Sequence, residues 1–373
     1  MTSFGHAADI IRDGIAARAF PAASVEVGSR DAVMWSGAFG ALTYDNDAPA
    51  ATRETIFDLA SLTKVVCTST LAMRAIDEGL MALDQRVAEW VPEWLRLDRQ
   101  TVTIRDLLAH CSGLTGYLPY YRDLTGRAEF QATIADSPLE YAPRTRAIYS
   151  DLGFILLGFI LEDARARRTA GPSGTTDTAS LLSAQFRRIA TYLTPEPLTF
   201  NPPRAWRART APTEQDAWRG RTLVGEVHDE NTWALGGAAG HAGLFGTAAA
   251  VGSFARAALH TINGQGVLAR PETMREFIAR TDVPGSSRAL GWDTMLPTSS
   301  CGTRMSSTAI GHTGFTGTSL WIDWERDLYI VLLTNRVHPT RENLAIRAIR
   351  PRFHDAVVTS VRGSGLETGG SGQ

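Results

Sequence analysis

Ser61 and Lys64 place a hydroxyl and an amine three residues apart at the start of an apolar stretch with helical periodicity, which runs to Glu78 and stops at Gly79. Residues three apart share one face of a helix, so the two side chains can approach hydrogen-bonding distance. A serine hydroxyl needs a neighbouring base to become a nucleophile, and a helix N-terminus adds positive potential for a developing oxyanion. The spacing alone is weak evidence because serine is a common residue.

The lysine of this pair is unusual within the chain. The sequence holds 36 arginines and a single lysine, Lys64. A GC-rich genome that replaces lysine by arginine wherever only charge matters would produce such a bias. Arginine does not release its proton in a protein, whereas lysine can. The one lysine that such a bias retains is therefore predicted to take part in proton transfer.

The composition is that of a globular protein with a sizeable core. The chain has 373 residues, of which 44% are hydrophobic and 20% charged, and its formal net charge is -2. A chain of this length can form one large domain or two closely packed ones. Its small net charge provides no electrostatic field that favours binding to nucleic acid or to an anionic membrane. Neither a membrane association nor a cofactor is expected. The amphipathic start, Ser3 to Ala19, lacks the pattern of a signal peptide, which predicts a cytoplasmic location.

The predicted strands lie near the two ends of the chain. A helix over Phe4 to Ala19 precedes a hairpin, and two more strands are predicted over Thr318 to Asp323 and Leu328 to Asn335. Helices fill most of the interval between them. This order predicts an α+β fold in which one sheet is built from distant segments and a largely helical domain is inserted. The expected division is a catalytic domain of residues 1–78 and 240–362, a helical domain of residues 79–239 and a flexible tail of residues 363–373.

Three segments resemble the sequence boxes of a known superfamily. They read FDLASLTKVV, YSDLGF and GHTGFTG, and a fourth segment reads LLAHCSGL. In order and separation they are similar to the boxes of the serine β-lactamase and penicillin-binding-protein superfamily, in its class C β-lactamase and esterase branch. The resemblance extends from about Phe4 to Val361. It implies an antiparallel sheet flanked by helices, a second, largely helical domain, and hydrolysis of an ester or amide through an acyl-enzyme.

The resemblance also implies roles for individual residues. Ser61 would be the nucleophile and Lys64 its partner in proton transfer. Tyr149 would move protons to and from the nucleophile and the leaving group, although from the residues alone it could equally be a core aromatic. The backbone N–H groups of Ser61 and Phe315 would form the oxyanion hole.

The sequence departs from the pattern of the superfamily at two positions. Asp151 stands where asparagine is usual, and a carboxylate cannot donate a hydrogen bond to a substrate carbonyl. It would also favour a charged Lys64, which moves the role of base toward Tyr149. His312 stands where many β-lactamases have lysine, followed by the substrate-binding Thr313 and Gly314. We expect His312 to bind a carboxylate only when it is protonated, so that affinity for anionic substrates falls between about pH 5.5 and 8.

A polar cluster in the segment GEVHDENTWALGGAAGHAGLF offers further candidate substrate-binding residues, namely His228, Asp229, Asn231 and His241. The segment resembles one found in a bacterial subgroup of the superfamily that is associated with recycling cell-wall sugars and peptides, which implies a muropeptide-like substrate. Imidazole and carboxylate groups also suit zinc. The spacing is not that of an established zinc motif, so no metal is predicted.

Several functions stay open at this level. The preferred interpretation is an esterase-like or cell-wall-fragment serine hydrolase with a small ester, amide or muropeptide-like substrate. A β-lactamase or D-alanyl-D-alanine carboxypeptidase is the alternative within the same chemistry. A second alternative is a ligand-binding protein with weak or no turnover, which the altered YSD and HTG boxes support. The least favoured alternative is a metal-dependent hydrolase built on His228 and His241. The sequence does not indicate an oligomeric state.

Overall fold

The computed structural model describes residues 4–169 and 181–363. Within them the α-helices are α1 (Gly5–Ala16), α2 (Thr70–Asp77), α3 (Ile104–Leu108), α4 (Gly126–Asp136), α5 (Asp151–Thr169), α6 (Leu182–Leu193), α7 (Glu230–Ala234), α8 (Ala248–Ile262), α9 (Pro271–Ile278) and α10 (Ile346–Gly363). No helix in this part of the chain is long and apolar enough to cross a membrane. Apart from its first residue, 363, the predicted tail lies outside the described residues.

The strands form one large sheet and two small ones. They are β1 (Ala22–Gly28), β2 (Val33–Gly40), β3 (Phe57–Asp58), β4 (Leu198–Phe200), β5 (Gln215–Asp216), β6 (Arg221–Thr222), β7 (Leu244–Gly246), β8 (Asp293–Thr294), β9 (Ile310–Thr313), β10 (Ser319–Asp323) and β11 (Leu328–Thr334). The large sheet has the order β2-β1-β11-β10-β9-β8, and all its pairs are antiparallel. The predicted fold class, an antiparallel sheet flanked by helices, is confirmed.

The sheet is covered on both faces. Tyr329, Val331 and Leu333 of β11 belong to the same apolar cluster as α8, whereas Ile330 and Leu332 belong to the cluster that contains α1 and α10. Side chains alternate between the two faces of a strand, so a strand buried on both faces needs apolar residues throughout. Every residue of β1 and β11 is buried, and in β1 these include the polar Ser24 and Glu26. Helices therefore pack against both faces of the sheet that contains β9.

The part between the outer strands is mainly helical. Helices α3 to α7 lie within residues 79–239, together with the short strands β4 to β6. Strand β4 pairs with β7, and β7 pairs with β3, so a small sheet connects this part with the segment that precedes Ser61. The division into domains stays a prediction.

The helix predicted after Ser61 has an irregular first half. Residues Lys64–Ser69 form a π-helical segment, and α2 continues from it and ends before Gly79, which has a φ of 68°. A π-helical turn carries more residues per turn than an α-helix and is frequent at functional sites. The stretch is completely buried, which fixes the direction of the Lys64 side chain.

Candidate active site

A cavity of about 550 Å³ lies where the end of β9, the start of the Ser61 helix and the loops around α7 meet. It collects side chains from segments that are far apart in sequence. All the candidate site residues line it except Lys64 and Asn231; they are Ser61, Tyr149, Asp151, His228, Asp229, His241, His312, Thr313, Gly314 and Phe315.

A tight turn presents Ser61 to the cavity. The preceding residue, Ala60, has a φ of 47°, and its N–H donates to the Asp58 carboxylate at 2.8 Å. The Thr63 hydroxyl donates to the Ala60 carbonyl at 2.6 Å. The positive φ is uncommon for a residue with a side chain and is held here by buried hydrogen bonds.

Two backbone donors flank the nucleophile candidate. Within the described parts of the chain, the N–H groups of Ser61 and Phe315 donate to no protein acceptor, and both residues line the cavity. The Phe315 segment is fixed from behind, because Thr316 donates to the Asp58 carbonyl at 2.7 Å and Thr318 to the Leu59 carbonyl at 2.9 Å. Free N–H groups of this kind can stabilise an oxyanion.

Lys64 lies beneath the cavity floor with no exposed surface. Its Nζ donates to Ser61 Oγ at 3.0 Å, to Asp151 Oδ1 at 2.6 Å and to the His241 carbonyl at 3.1 Å. An ammonium has three donors, so this geometry satisfies the charged form completely. Burial lowers the pKa of Lys64, but Asp151 and then Tyr149 raise it, and the net pKa lies above the ordinary value. Lys64 is therefore held as a cation.

Tyr149 lies between two imidazoles and two cations. Its ring centroid lies 4.7 Å from that of His110 and 5.6 Å from that of His312. The Lys64 Nζ is 4.7 Å from the ring centroid, and the Arg288 guanidinium carbon is 5.0 Å from it. The buried hydroxyl forms no hydrogen bond of ordinary geometry with a described residue, but Lys64 and Ser61 lie close enough to lower its pKa. Burial raises the pKa of Tyr149, Lys64 lowers it and Asp151 raises it, with a net increase.

The predicted titration of His312 is wrong. Burial lowers its pKa well below the ordinary value, and the positive charges of Arg288 and Lys64 lower it further. The His312 Nδ1–H donates to the Thr313 carbonyl at 2.8 Å, whereas Nε2 has no partner in the described structure. His312 is thus a neutral imidazole between pH 5.5 and 8 and cannot supply a pH-dependent cation there. The sequence could not show this, because the shift comes first from burial and then from Arg288 and Lys64, which only the fold brings close to His312.

The polar cluster of the α7 region supports the site from one side. Asp229 caps α7 by accepting from the Thr232 N–H at 2.7 Å, and it also accepts from His241 Nε2 at 2.8 Å. The backbone carbonyl of His241 is in turn an acceptor for Lys64. Burial raises the pKa of Asp229, but His241 and Thr232 lower it more, so the carboxylate stays ionised. This chain of contacts orients Lys64.

His228 and Asn231 have different environments. His228 stacks on the Phe315 ring with centroids 5.6 Å apart, and its Nε2 lies 2.9 Å from Glu214. Asn231 is fully buried; its amide donates to the Leu118 carbonyl and accepts from the Tyr121 N–H, both at 2.9 Å. The structure does not place Asn231 in the cavity, because both ends of its amide hold the backbone. The described residues contain no group of three or more His, Cys, Asp or Glu side chains that could hold a metal.

Several cavity residues had no signal in the sequence. Five of them are arginines: Arg288, Arg336, Arg341, Arg347 and Arg350. In a chain with 36 arginines none of them stands out by type or spacing. Only the fold distinguishes them from arginines on the surface.

Known proteins resemble this chain in sequence and in fold. The Beta-lactamase family model matches residues 7–351. A protein of Escherichia coli (strain K12) named "Putative D-alanyl-D-alanine carboxypeptidase" is 30% identical over 319 residues, covering 77% of this chain and 70% of that protein. The solved structure described as "EstCE1, a hydrolase with promiscuous acyltransferase activity" superposes with a TM-score of 0.72 at 21% identity, covering 95% and 97% of the two chains. The unliganded simvastatin synthase (LovD) from Aspergillus terreus gives a TM-score of 0.70 at 19% identity, covering 96% and 98%. At these identities the two structures establish the fold.

Proposed function

This chain belongs to the Beta-lactamase family and is a serine hydrolase, and we propose that Ser61 is the residue that its substrate acylates. The observation that carries the proposal is the contact of Lys64 Nζ with Ser61 Oγ at 3.0 Å, next to the buried ion pair with Asp151. A nucleophilic hydroxyl held by a positioned amine, with a free phenol beside it, is an arrangement for acyl transfer.

The charge of Lys64 determines which group acts as the base. Since Asp151 holds Lys64 as an ammonium, we assign the role of base to Tyr149. Burial raises the pKa of Tyr149, so its tyrosinate is a minor form, which the adjacent ammonium stabilises in part. The Tyr149 oxygen takes the proton of Ser61 while Oγ bonds to the substrate carbonyl carbon. The N–H groups of Ser61 and Phe315 hold the resulting oxyanion.

Tyr149 also serves the later steps of the reaction, in which it donates a proton where it had accepted one before. Tyr149 donates its proton to the leaving oxygen or nitrogen as the bond to the acyl carbon breaks, which leaves an ester on Ser61. A water then gives a proton to Tyr149 and attacks the acyl carbon. When the tetrahedral intermediate collapses, Ser61 Oγ leaves and regains a proton from Tyr149, and a carboxylic acid is released. No metal or cofactor enters these steps.

We propose a small ester or amide as the substrate, within the size of the cavity. Asp151 cannot donate to a carbonyl, and His312 is neutral, so the two groups that commonly bind β-lactams in the superfamily are altered. Activated short-chain esters should therefore have a higher kcat/KM than nitrocefin.

D-alanyl-D-alanine carboxypeptidase activity is a second candidate, favoured by one observation. The Arg288 guanidinium has no ion pair or hydrogen-bond partner among the described residues and lies over the Tyr149 ring, so a permanent cation replaces the one that His312 lacks. The name of the Escherichia coli relative points to the same activity. Comparing kcat/KM for 4-nitrophenyl valerate and for a D-alanyl-D-alanine peptide decides between the two candidates.

The nucleophile is tested by labelling and turnover. A fluorophosphonate should add one label to the protein, measured by mass spectrometry, and 4-nitrophenyl valerate should be hydrolysed. Ser61→Ala should remove the label and lower kcat by at least about 10⁴-fold, because binding alone does not replace a nucleophile. Ser69→Ala is the matched control, since Ser69 is a buried serine of the same helix whose hydroxyl has no partner in the described structure.

Lys64→Arg tests the amine separately. It conserves the charge but should lower kcat by about 100-fold or more, because a planar guanidinium does not fit a site built for three ammonium contacts. If Ser61→Ala retained label and turnover, the acyl-enzyme proposal would be wrong. If Lys64→Arg were as active as the wild type, only the role of Lys64 would be wrong.

A further inference from the structure

Three partly exposed aromatic side chains from different elements contact one another near the active-site cavity. Tyr121 belongs to the 3₁₀ turn Tyr120–Arg122, Trp218 to the turn between β5 and β6, and Trp233 to α7. The Trp218 ring centroid lies 4.6 Å from that of Tyr121 and 5.3 Å from that of Trp233. We refer to Tyr121, Trp218 and Trp233 as the aromatic platform. Trp218 is 45% exposed and Trp233 is 40% exposed, so much of the platform faces solvent.

The platform is continuous with the wall of the cavity. Tyr117 lines the cavity four residues before Tyr121, and Glu230 lines it three residues before Trp233 in α7. Trp218 contacts both of these platform members. A substrate whose reacting group lies in the cavity can therefore extend over the aromatic rings.

A buried amide fixes one side of the platform. Asn231 of α7 is fully buried, and its carbonyl oxygen accepts from the Tyr121 N–H at 2.9 Å. Its amide nitrogen donates to the Leu118 carbonyl, also at 2.9 Å. These two contacts join the helix that carries Trp233 to the segment that carries Tyr121. The role of Asn231 toward a substrate is thus to position the platform.

A buried cation fixes the other side. Arg219 follows Trp218 directly, and its side chain is only 2% exposed. It donates to the Asp216 carboxylate at 2.8 Å and to the His228 carbonyl at 2.6 Å. Because His228 lines the cavity, this contact attaches the turn that carries Trp218 to the cavity wall. The exposed rings are therefore held by buried polar groups, which is unusual for aromatic residues that serve only as surface.

The platform favours an occupant that is apolar on one face and polar at its rim. An alkyl chain is bound best where water is excluded on all sides, whereas these rings stay open to solvent. The indole N–H groups of Trp218 and Trp233 donate to no described residue. The Arg122 guanidinium carbon lies 5.8 Å from the centroid of the Tyr121 ring. Polar donors thus border the aromatic faces.

Resting on the proposed function, we propose that the aromatic platform binds a sugar ring that the substrate carries on its acyl group or on its leaving group. One face of a pyranose ring consists of C–H groups, whose partial positive charge suits the negative face of an aromatic ring. The hydroxyl groups at its rim can accept from the indole N–H groups and from Arg122. Contact with the platform would hold the ester or amide carbonyl near Ser61.

The test compares esters that carry a sugar ring with esters that carry a cyclohexane ring. Methyl 6-O-acetyl-β-D-glucopyranoside and cyclohexylmethyl acetate differ in the ring of the leaving group. The methyl ester of methyl β-D-glucopyranosiduronic acid and methyl cyclohexanecarboxylate differ in the ring of the acyl group. The quantity measured is the ratio of kcat/KM for the sugar ester to kcat/KM for its cyclohexane counterpart.

Trp218→Leu should lower this ratio about tenfold in at least one ester pair, because leucine keeps apolar surface but removes the flat ring. Trp218→Phe should retain most of the ratio, since a flat ring remains. Trp233→Leu should lower the ratio in the same ester pair as Trp218→Leu. The control is Tyr192→Leu: Tyr192 is an aromatic residue of α6 that is 89% exposed and does not line the cavity.

An equal ratio in the wild type, Trp218→Leu and Trp233→Leu for both pairs overturns the proposal. A larger loss for the cyclohexane esters than for the sugar esters also overturns it, because the platform would then be an apolar site. If the variants change only the oligomeric state, measured by light scattering, the platform is an interface between copies and the proposal is wrong.

A binding measurement separates this proposal from the proposed function. Ser61→Ala should bind the sugar esters without turnover, and tryptophan fluorescence reports their affinity. Adding Trp218→Leu to Ser61→Ala should weaken that affinity about tenfold, whatever the nucleophile is. An unchanged affinity contradicts the platform, whereas hydrolysis of 4-nitrophenyl valerate by Ser61→Ala contradicts the proposed function.

Discussion

At the scale of single residues, the site depends on how Asp151 controls protons. Its carboxylate forms the 2.6 Å contact with Lys64 and raises the pKa values of both Lys64 and Tyr149. A buried ion pair is costly to break because the remaining charge is left without a partner. Under the proposed mechanism, the ion pair of Asp151 with Lys64 sets the pH at which Lys64 and Tyr149 together lose the proton that nucleophilic attack requires.

Asp151→Asn should therefore shift the pH profile of the reaction. Without the carboxylate, the pKa values of Lys64 and Tyr149 fall, so the reactive form appears at lower pH. We expect the acid limb of kcat/KM for 4-nitrophenyl valerate to move down by about one pH unit, which corresponds to one moderately screened charge. The measurement is kcat/KM between pH 5 and 10. An unchanged profile, or one moved to higher pH, would show that Asp151 does not control the proton affinity of the site.

Some of these residues could be predicted from the sequence and others could not, for physical reasons. Lys64 stood out because it is the single lysine of a chain that otherwise has only arginine, and arginine does not release its proton in a protein. Arg288 could not be found, since its importance comes from its place over the Tyr149 ring. The error about His312 has the same origin: residue type gives the ordinary pKa, whereas burial and Arg288 give the actual direction.

At the scale of elements, the contact of α8 with the sheet depends on a glycine. Gly252 faces Glu26 of β1, and a Cβ atom at position 252 would overlap the Glu26 carboxylate. That carboxylate is held by the Tyr329 hydroxyl at 2.8 Å and by Arg256 at 2.9 Å. Burial raises the pKa of Glu26, and the contacts with Tyr329 and Arg256 lower it again only in part. The helix therefore approaches the strand over a buried polar network.

Gly252→Ala should destabilise the protein by about 1–3 kcal/mol, because the added methyl overpacks this contact. At other positions within a helix, replacing glycine by alanine stabilises the protein by roughly 0.5–1 kcal/mol. A loss of stability at position 252 would therefore indicate overpacking. Urea unfolding measures it, and the same substitution in a Glu26→Ala background is the control. The penalty should shrink there, since the overlapping group is gone. An equal loss of stability in both backgrounds would show that overlap with the Glu26 carboxylate is not its cause.

Local sequence patterns predicted which segments form strands and helices better than they predicted which of these segments pair in space. Alternation predicted the hairpin and the two C-terminal strands. The pairing of β1 with β11, Ala23 opposite Thr334, joins segments from the two ends of the chain and has no local signal. A single sheet built from distant segments was predicted from the positions of the strands along the chain, but the order of its strands was not predicted. The π-helical turn after Ser61 was not expected, because its apolar residues also fit an ordinary helix.

At the scale of the whole molecule, Glu214 joins regions that are distant in sequence around the cavity. It accepts from the backbone N–H of Arg341 at 3.1 Å and from the Arg341 Nε at 2.6 Å, and it contacts His228 at 2.9 Å. Arg341 also contacts Glu230 at 2.7 Å. The segment before α10 is thereby fixed to the loops of the middle part of the chain. Stability of the assembled cavity should depend on the charge of this carboxylate.

The pKa of Glu214 gives the sign of that dependence. Burial raises it, but His228 and Arg341 outweigh burial and lower it to about 2. A carboxyl group with a depressed folded-state pKa stabilises the protein above its unfolded pKa, roughly 4.3, and loses this contribution as the pH falls toward the folded value. Glu214→Gln should therefore cost about 2 kcal/mol at pH 7 and progressively less between pH 5 and 3. Urea unfolding at several pH values measures the difference, with the exposed neighbour Glu342→Gln as the control. A penalty that stayed constant down to pH 3 would mean that Glu214 acts through its shape and neutral hydrogen bonds, and that its charge does not hold the two regions together.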